Sequence, residues 1–362
     1  MSDPPKRKLV QTQISSVFLY PDVRKNLGEE RSPYFSRPAT SSQQTTSTQQ
    51  TTSSFGELSD AGDASDTPAA SRKRPTAAEK ANRRKALQLI AAETKAILPN
   101  LLDTLPNAPP KGYIYSPPQP PRLDKRYCPG FSPTSIRVID DDTFDTAIGL
   151  AKCAQYITVQ DKRPVCVLNM ANAYSAGGGW RNGALAQEEA LCYRSSLSFT
   201  LKLRYYPLPE LGAIYSPYVV IIRESLKNGH ELLDLSKPEE LPVVSAISVA
   251  AICDPEIVTW GSRDVYKNSA DRDLMKEKMR VILRVAAVNG HRRLVLGALG
   301  CGAFMNPKEE VADCWAEVFK EQEFSGGWWE SVLFAVMDDL GEGKDGNGNF
   351  GIFHRKLEGM LV

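Results

Sequence analysis

Two glycine-rich runs follow apolar stretches, and each leads into residues suited to start a helix. The first passes from Asn169 and Asn172 through Gly177, Gly178 and Gly179 to Gln187, Glu188 and Glu189. The second, GALGCGAFMNP, spans residues 297–307 and contains Gly300, Cys301, Gly302, Ala303 and Phe304. Glycines between a strand and a helix let the backbone approach a ligand closely and turn free N–H groups outward. This is the physics of a phosphate or diphosphate cradle. Glu188 and Glu189 add carboxylates capable of acid–base work. Taken alone, two glutamates opening a helix read more simply as charges that complement its dipole. Taken alone, a glycine-rich turn reads more simply as packing.

Other chemistries are poorly supplied. Neither run contains the GK[ST] of a nucleotide-binding P-loop, and Met305 stands where a GxGxxG beginning at Gly300 needs its last glycine. The three histidines, His230, His291 and His354, are too far apart for an HxxxH helix face. The seven cysteines are scattered without a CxxC, which argues against a disulfide scaffold or a thiolate zinc site and for a reducing compartment. No metal and no cofactor are expected.

The elements that must position these loops can be read from periodicity. Leu87, Ile90, Ala91, Thr94, Ile97 and Leu98 recur at helical steps, predicting a helix with one buried face that stops at Pro99. Residues 105–135 are proline-rich and are expected to wrap the core in extended form. Strands are expected at 135–140, 165–170, 217–223, 243–250, 293–298 and 331–337. Helices are expected at 143–156, with Asp142 as cap, and at 187–200, 268–289 and 307–322. This alternation predicts an α/β fold with helices covering a mainly parallel or mixed sheet, and ligands at the carboxyl ends of its strands.

Composition sets the outer bounds. The chain has 362 residues, 42% hydrophobic and 24% charged, with a net charge of +1. A surface built throughout to attract nucleic acid or membrane is therefore not expected. No apolar run approaches the ~18 residues of a spanning helix, and no apolar stretch follows Met1 as in a secretory signal. Residues 41–54 are drawn only from Ser, Thr and Gln, so residues 1–74 are read as a disordered tail preceding a folded unit at 75–362.

Glycine triplet, spacer and Gln-Glu-Glu together, GGGWRNGALAQEE, resemble the signature of the poly(ADP-ribose) glycohydrolases. The second loop resembles the diphosphate-binding loop of their bacterial and filamentous-fungal branch. LNMAN, LCYRSSL and ALQLIAAETKAIL extend the likeness over residues 76–362. The resemblance implies a three-layer α/β/α macrodomain with an N-terminal helical extension. It also implies hydrolysis of the ribose–ribose O-glycosidic bond of poly(ADP-ribose). By that likeness Glu189 is the catalytic acid, Glu188 helps hold the ribose hydroxyls, and Gln187 positions loop and substrate. Gly177, Gly178, Gly179, Gly300, Cys301, Gly302 and Ala303 form the cradle, and Phe304 packs on the ribose. Asn169 and Asn172 either bond ribose or cap their own turn. Phe304 is otherwise a core aromatic, and Trp180, Trp328 and Trp329 are read as core. Adjacent helical residues project ~100° apart, so one carboxylate rather than a flanking pair is expected to do the chemistry. A helix start favours the anion, whereas a general acid must carry a proton. Burial and the diphosphate charges are expected to supply it once substrate is bound.

Other readings stay open. A macrodomain that reads ADP-ribose without cleaving it would lack the Gln-Glu-Glu element, and a mono-ADP-ribosyl hydrolase would share the cradle. In the tail, Gln11, Ile14 and Phe18 resemble a sliding-clamp-binding box, with Val17 in place of its first aromatic. Arg72–Arg74 and Arg83–Lys85 resemble a two-part nuclear import signal, unless the second cluster is the solvated face of the first helix. An intracellular monomer that does not bind DNA directly is expected.

Overall fold

The computed structural model describes residues 76–157 and 163–362, with side chains at 76–152 and 163–362. The tail readings, the clamp-box residues Gln11, Ile14 and Phe18 included, lie outside the described residues. In chain order the elements are α1 (Ala77–Asp103), β1 (Tyr113–Tyr115), β2 (Arg137–Ile139), α2 (Thr143–Ile157), β3 (Cys166–Met170), α3 (Gln187–Arg194), α4 (Leu197–Thr200), β4 (Ala213–Val220), β5 (Val243–Val249), β6 (Ile257–Trp260), β7 (Arg263–Tyr266), α5 (Ser269–Val288), β8 (Arg293–Leu296), α6 (Lys308–Phe319), β9 (Ser331–Ala335) and α7 (Asn349–Leu357).

Seven strands form one sheet in the order β1-β4-β5-β3-β8-β9-β2. From β5 to β2 the neighbours are parallel, and β4 and β1 close the other edge antiparallel. Alternate residues along each strand face opposite helical layers, as the two-residue period of a strand requires. Cys166, Leu168, Leu294, Leu296 and Phe334 pack with α5, α6 and α7. Val165, Val167, Val295 and Leu333 pack with α1, α2 and α3. The result is the three-layer α/β/α fold with a mixed sheet expected above. Among the described residues no helix is long and apolar enough to cross a membrane.

The first helix departs from expectation. It runs through Pro99 to Asp103. The proline costs about 3 kcal/mol in a helix interior. Continuing buries Leu101 and Leu102, beside Leu98, against Val220, Ile222 and Leu241, at about 1.5–3 kcal/mol per side chain, so burial wins. The helix expected over 187–200 breaks into α3 and α4. Ser195 turns extended and bridges Ile221 beyond the end of β4, and the Ser196 hydroxyl accepts from the Val220 N–H. β4 starts earlier than expected and carries a register shift between Ser216 and Val219, where Pro217 has no N–H for the ladder. The β6–β7 hairpin, β1 and α7 go beyond the elements expected from periodicity. β1 and α7 are short and gain their partners far away in sequence, whereas the hairpin did carry a local signal, the two-residue Gly261-Ser262 turn between its strands.

Candidate active site

β3 and β8 are parallel neighbours, so the two glycine-rich loops leave the sheet side by side at its carboxyl edge. The first loop is tied to α3 by three consecutive side chains. The Gln187 carboxamide accepts from the Met170 N–H at 2.9 Å and donates to the Leu168 carbonyl at 2.7 Å and to Thr143 Oγ1 at 3.2 Å. Its polar atoms are committed to the end of β3, which makes it a brace for the first turn of α3. Glu188 follows, buried. It accepts from the Asn172 N–H at 2.7 Å and from Asn169 Nδ2 at 3.2 Å. Glu189 accepts from the Gly179 N–H at 2.8 Å and from the Ala186 N–H at 3.1 Å. The second of these is the reciprocal half of a capping box.

Gly178 lies between the two carboxylates. A Cβ there would sit 2.3 Å from Glu189 Oε1 and 3.3 Å from Glu188 Oε2, and its φ is +58°. Adjacent helical side chains thus reach one turn of backbone, because the loop folds back around the start of α3. Desolvation pushes the Glu188 carboxyl up to about 8, against the lowering effect of its bonds from Asn172 and Asn169 and with a further rise from neighbouring Glu189.

Of the two roles expected of Asn169 and Asn172, the structure shows turn capping, and at Asn172 alone. Asn172 Oδ1 accepts from the N–H groups of Tyr174 and Ser175 at 2.8 and 2.9 Å, capping its own turn. Asn169 is fully buried on β3 and links Glu188 to Ser248 Oγ of β5 at 2.9 Å. Trp180, Trp328 and Trp329 are all buried in the core.

The second loop is organised by Asn306, which sequence reasoning did not single out. Its side-chain N–H groups lie within bonding distance of the Ile252, Gly300 and Phe304 carbonyls, at 2.7, 3.1 and 3.2 Å. Its Oδ1 accepts from Tyr266 OH at 2.8 Å. The loop is thereby fastened to the segment after β5, where the Asp254 N–H also donates to the Phe304 carbonyl. A side chain at Gly300 would strike Asn306 and Ala251, whereas Gly302 faces open space and Ala303 is exposed. Phe304 and Cys301 are half-buried against the α5–α7 side of the core. Burial raises the Cys301 thiol far above its ordinary value, so it is no thiolate nucleophile at neutral pH. The signal available for Asn306 was its place at the end of a loop just before Pro307. Its bonds to residues 252 and 266 were not readable from spacing. Among the described residues no group of three or more His, Cys, Asp or Glu side chains is placed to hold a metal ion.

The family model for the microbial-type PARG catalytic domain (PARG being poly(ADP-ribose) glycohydrolase) matches residues 100–224, the stretch that contains the first loop and α3. Over that stretch the chain is similar to the microbial-type poly(ADP-ribose) glycohydrolases. Solved glycohydrolase structures extend the likeness beyond that stretch. The Thermomonospora curvata glycohydrolase superposes with a TM-score of 0.60 at 25% identity, over 75% of this chain and 99% of its own. The same protein bound to the inhibitor ADP-HPD gives 0.57 at 26%, covering 75% and 99%. The Deinococcus radiodurans glycohydrolase in complex with ADP-ribose gives 0.55 at 27%, covering 72% and 97%. A search of curated proteins finds no match.

Proposed function

We propose that this glycohydrolase domain cleaves the ribose–ribose O-glycosidic bond of poly(ADP-ribose), with Glu189 as sole acid and base. A protonated Glu189 donates to the leaving ribose oxygen as the glycosidic bond breaks. The resulting carboxylate then takes a proton from the water that attacks the anomeric carbon, which yields ADP-ribose and restores the acid. Glu188, neutral through its burial, orients the ribose hydroxyls. The N–H groups of the open second loop receive the diphosphate. One observation carries the reading: both carboxylates border Gly178, beside a neighbouring loop whose outward face at Gly302 is free.

Labelled polymer tests it. Glu189→Gln keeps the shape of the side chain but cannot transfer the proton. Turnover should fall by about 10²–10⁴-fold while ADP-ribose affinity in calorimetry is retained. Near-normal turnover would overturn the assignment. A wild type that binds polymer without cleaving it would make the domain a reader, and turnover confined to mono-ADP-ribosylated protein would move the bond.

The proposal extends to a monomer acting in the nucleus, the cytoplasm or both, in the DNA damage response, with residues 75–362 as the catalytic unit and clamp binding through Gln11, Ile14 and Phe18. Its support there is the sequence alone. A chain beginning at Ser71 should keep full activity on free polymer and lose affinity for the sliding clamp. A large loss of activity would move the boundary.

A further inference from the structure

The first turns of α1 overhang the folded body. Residues 76–86 are all exposed, and burial begins at Leu87. The overhang carries Lys80, Arg83, Arg84 and Lys85, and Arg181 is exposed on the neighbouring spacer between the glycine triplet and α3. None of these five cations has an ion pair among the described residues. On α5 the pattern is the reverse. Arg272, Arg280 and Arg284 of α5 are each paired, with Glu310 and Glu317, with Glu321, and with Glu323. The acid nearest the overhang in sequence, Glu79, is occupied by the Thr76 N–H and hydroxyl.

The overhang is fixed against the catalytic loop. Arg84 Nε donates to the Asn182 carbonyl at 2.7 Å, and Gln88 Nε2 to the same oxygen at 3.2 Å. At Gly183 a Cβ would lie 2.2 Å from the Arg84 carbonyl oxygen, so helix and spacer are in backbone contact. Three residues back along that spacer, Gly179 donates to Glu189. At about 100° per residue, Lys80, Arg83 and Arg84 all fall within about 60° of the line through Leu87, Ala91 and Leu98, whereas Lys85 points about 140° away. The face that is buried further along α1 is therefore cationic where the helix runs past the body, on the side that carries the spacer.

We infer that this overhanging face is a track for the polymer beyond the unit being cleaved, with Lys80, Arg83 and Arg181 meeting the diphosphates of the next ADP-ribose units. The inference rests on the proposed glycohydrolase reading. Each unit of the substrate carries two negative charges, and a chain leaving the glycine triplet across residues 180–182 meets these cations first. Arg84 is spent on the spacer and acts as a positioning residue.

The test compares K80E/R83E with K85E and the wild-type full chain on two substrates, long polymer and a two-unit oligomer, over a range of salt. K80E/R83E should raise KM for long polymer about tenfold at low salt. Its kcat, and both constants for the oligomer, should stay unchanged. The slope of log affinity for long polymer against log salt, measured in a Glu189→Gln background, should fall by about 0.7 for each phosphate that is no longer neutralised. K85E should have little effect. Unchanged KM for long polymer overturns the track. So does an equal loss on both substrates, which would mean damage to the spacer, and so does K85E matching the pair. Single-stranded DNA that displaces polymer equally well from the wild type and from the pair would mark an unselective polyanion surface and overturn the assignment. Absence of any polymer turnover in the wild type would instead sink the glycohydrolase reading on which the track depends.

Discussion

The two glycine-rich loops use the same residue for different ends. In the first, the protein itself needs glycine. Gly177 and Gly178 both have positive φ, and their missing side chains make room for Trp180 and Cys192 in one case and for Glu189 and Glu188 in the other. In the second loop Gly300 is needed in the same way, against Asn306 and Ala251. Gly302 has ordinary φ, and a Cβ there would have no other atom within 4 Å. Packing and backbone conformation thus require glycine at 300 and leave position 302 open. The first loop is a mould for carboxylates, and the second presents a free face at Gly302.

That contrast can be broken most directly at Gly178. In Gly178→Val, positive φ and the displaced Glu189 carboxylate should act together. Turnover should drop by about 10²-fold or more, since misplacement by about 1 Å has that cost. Stability should fall by about 1–3 kcal/mol from the strained backbone, read as the midpoint of a denaturant titration. A variant with normal stability and normal rate would mean that the loop is no mould.

Asn306→Ala comes next. It removes the donors that hold the Ile252, Gly300 and Phe304 carbonyls and the acceptor for Tyr266. The cost should be about 1–3 kcal/mol for groups left unpaired, with weaker ADP-ribose binding and little change in the first loop's chemistry. Loss of kcat without loss of affinity would contradict the division between the loops.

Gly302→Val should separate folding from binding. Its stability should stay within about 0.5 kcal/mol of wild type, as for surface changes away from buried features, while calorimetry shows weaker ADP-ribose binding. Unchanged affinity would remove Gly302 from the cradle.

The last test is a slope. The folded state holds a proton on Glu188 up to about 8, whereas the ordinary value is 4.5. Its contribution to stability is complete below 4.5 and is lost as pH rises toward 8, because the unfolded chain releases that proton first. Glu188→Gln should flatten this part of the pH–stability curve, measured by urea titration at several pH values. An unchanged slope would place the proton elsewhere.

Much of this architecture is legible locally. Strands β3, β5, β8 and β9 are apolar runs bounded by turn residues, and α5 and α6 carry helical periodicity, so their types and approximate ends follow from short-range physics. Asp142 shows its capping role in sequence, and its Oδ1 does accept from the Phe144 N–H at 2.7 Å. What failed locally was decided by burial at a distance. Pro99 ends a helix only if nothing beyond it gains by continuing, and the leucines at 101 and 102 gain a hydrophobic layer built by residues 220–241.

The site divides along the same line. Sequence by itself determined which residues are candidates for chemistry, because carboxylates, glycines and their spacing are chemical properties of a short stretch of chain. Only the tertiary structure decided where each sits and what it touches. Parallel pairing of β3 with β8 sets two loops more than a hundred residues apart side by side. Burial makes Glu188 a neutral neighbour of Glu189. Asn306 finds its partners at residues 252 and 266, and Arg84 finds its own at 182. The physical reason is that hydrogen-bond partners and desolvation belong to places in space, and the chain assigns those places only once its strands have chosen their neighbours.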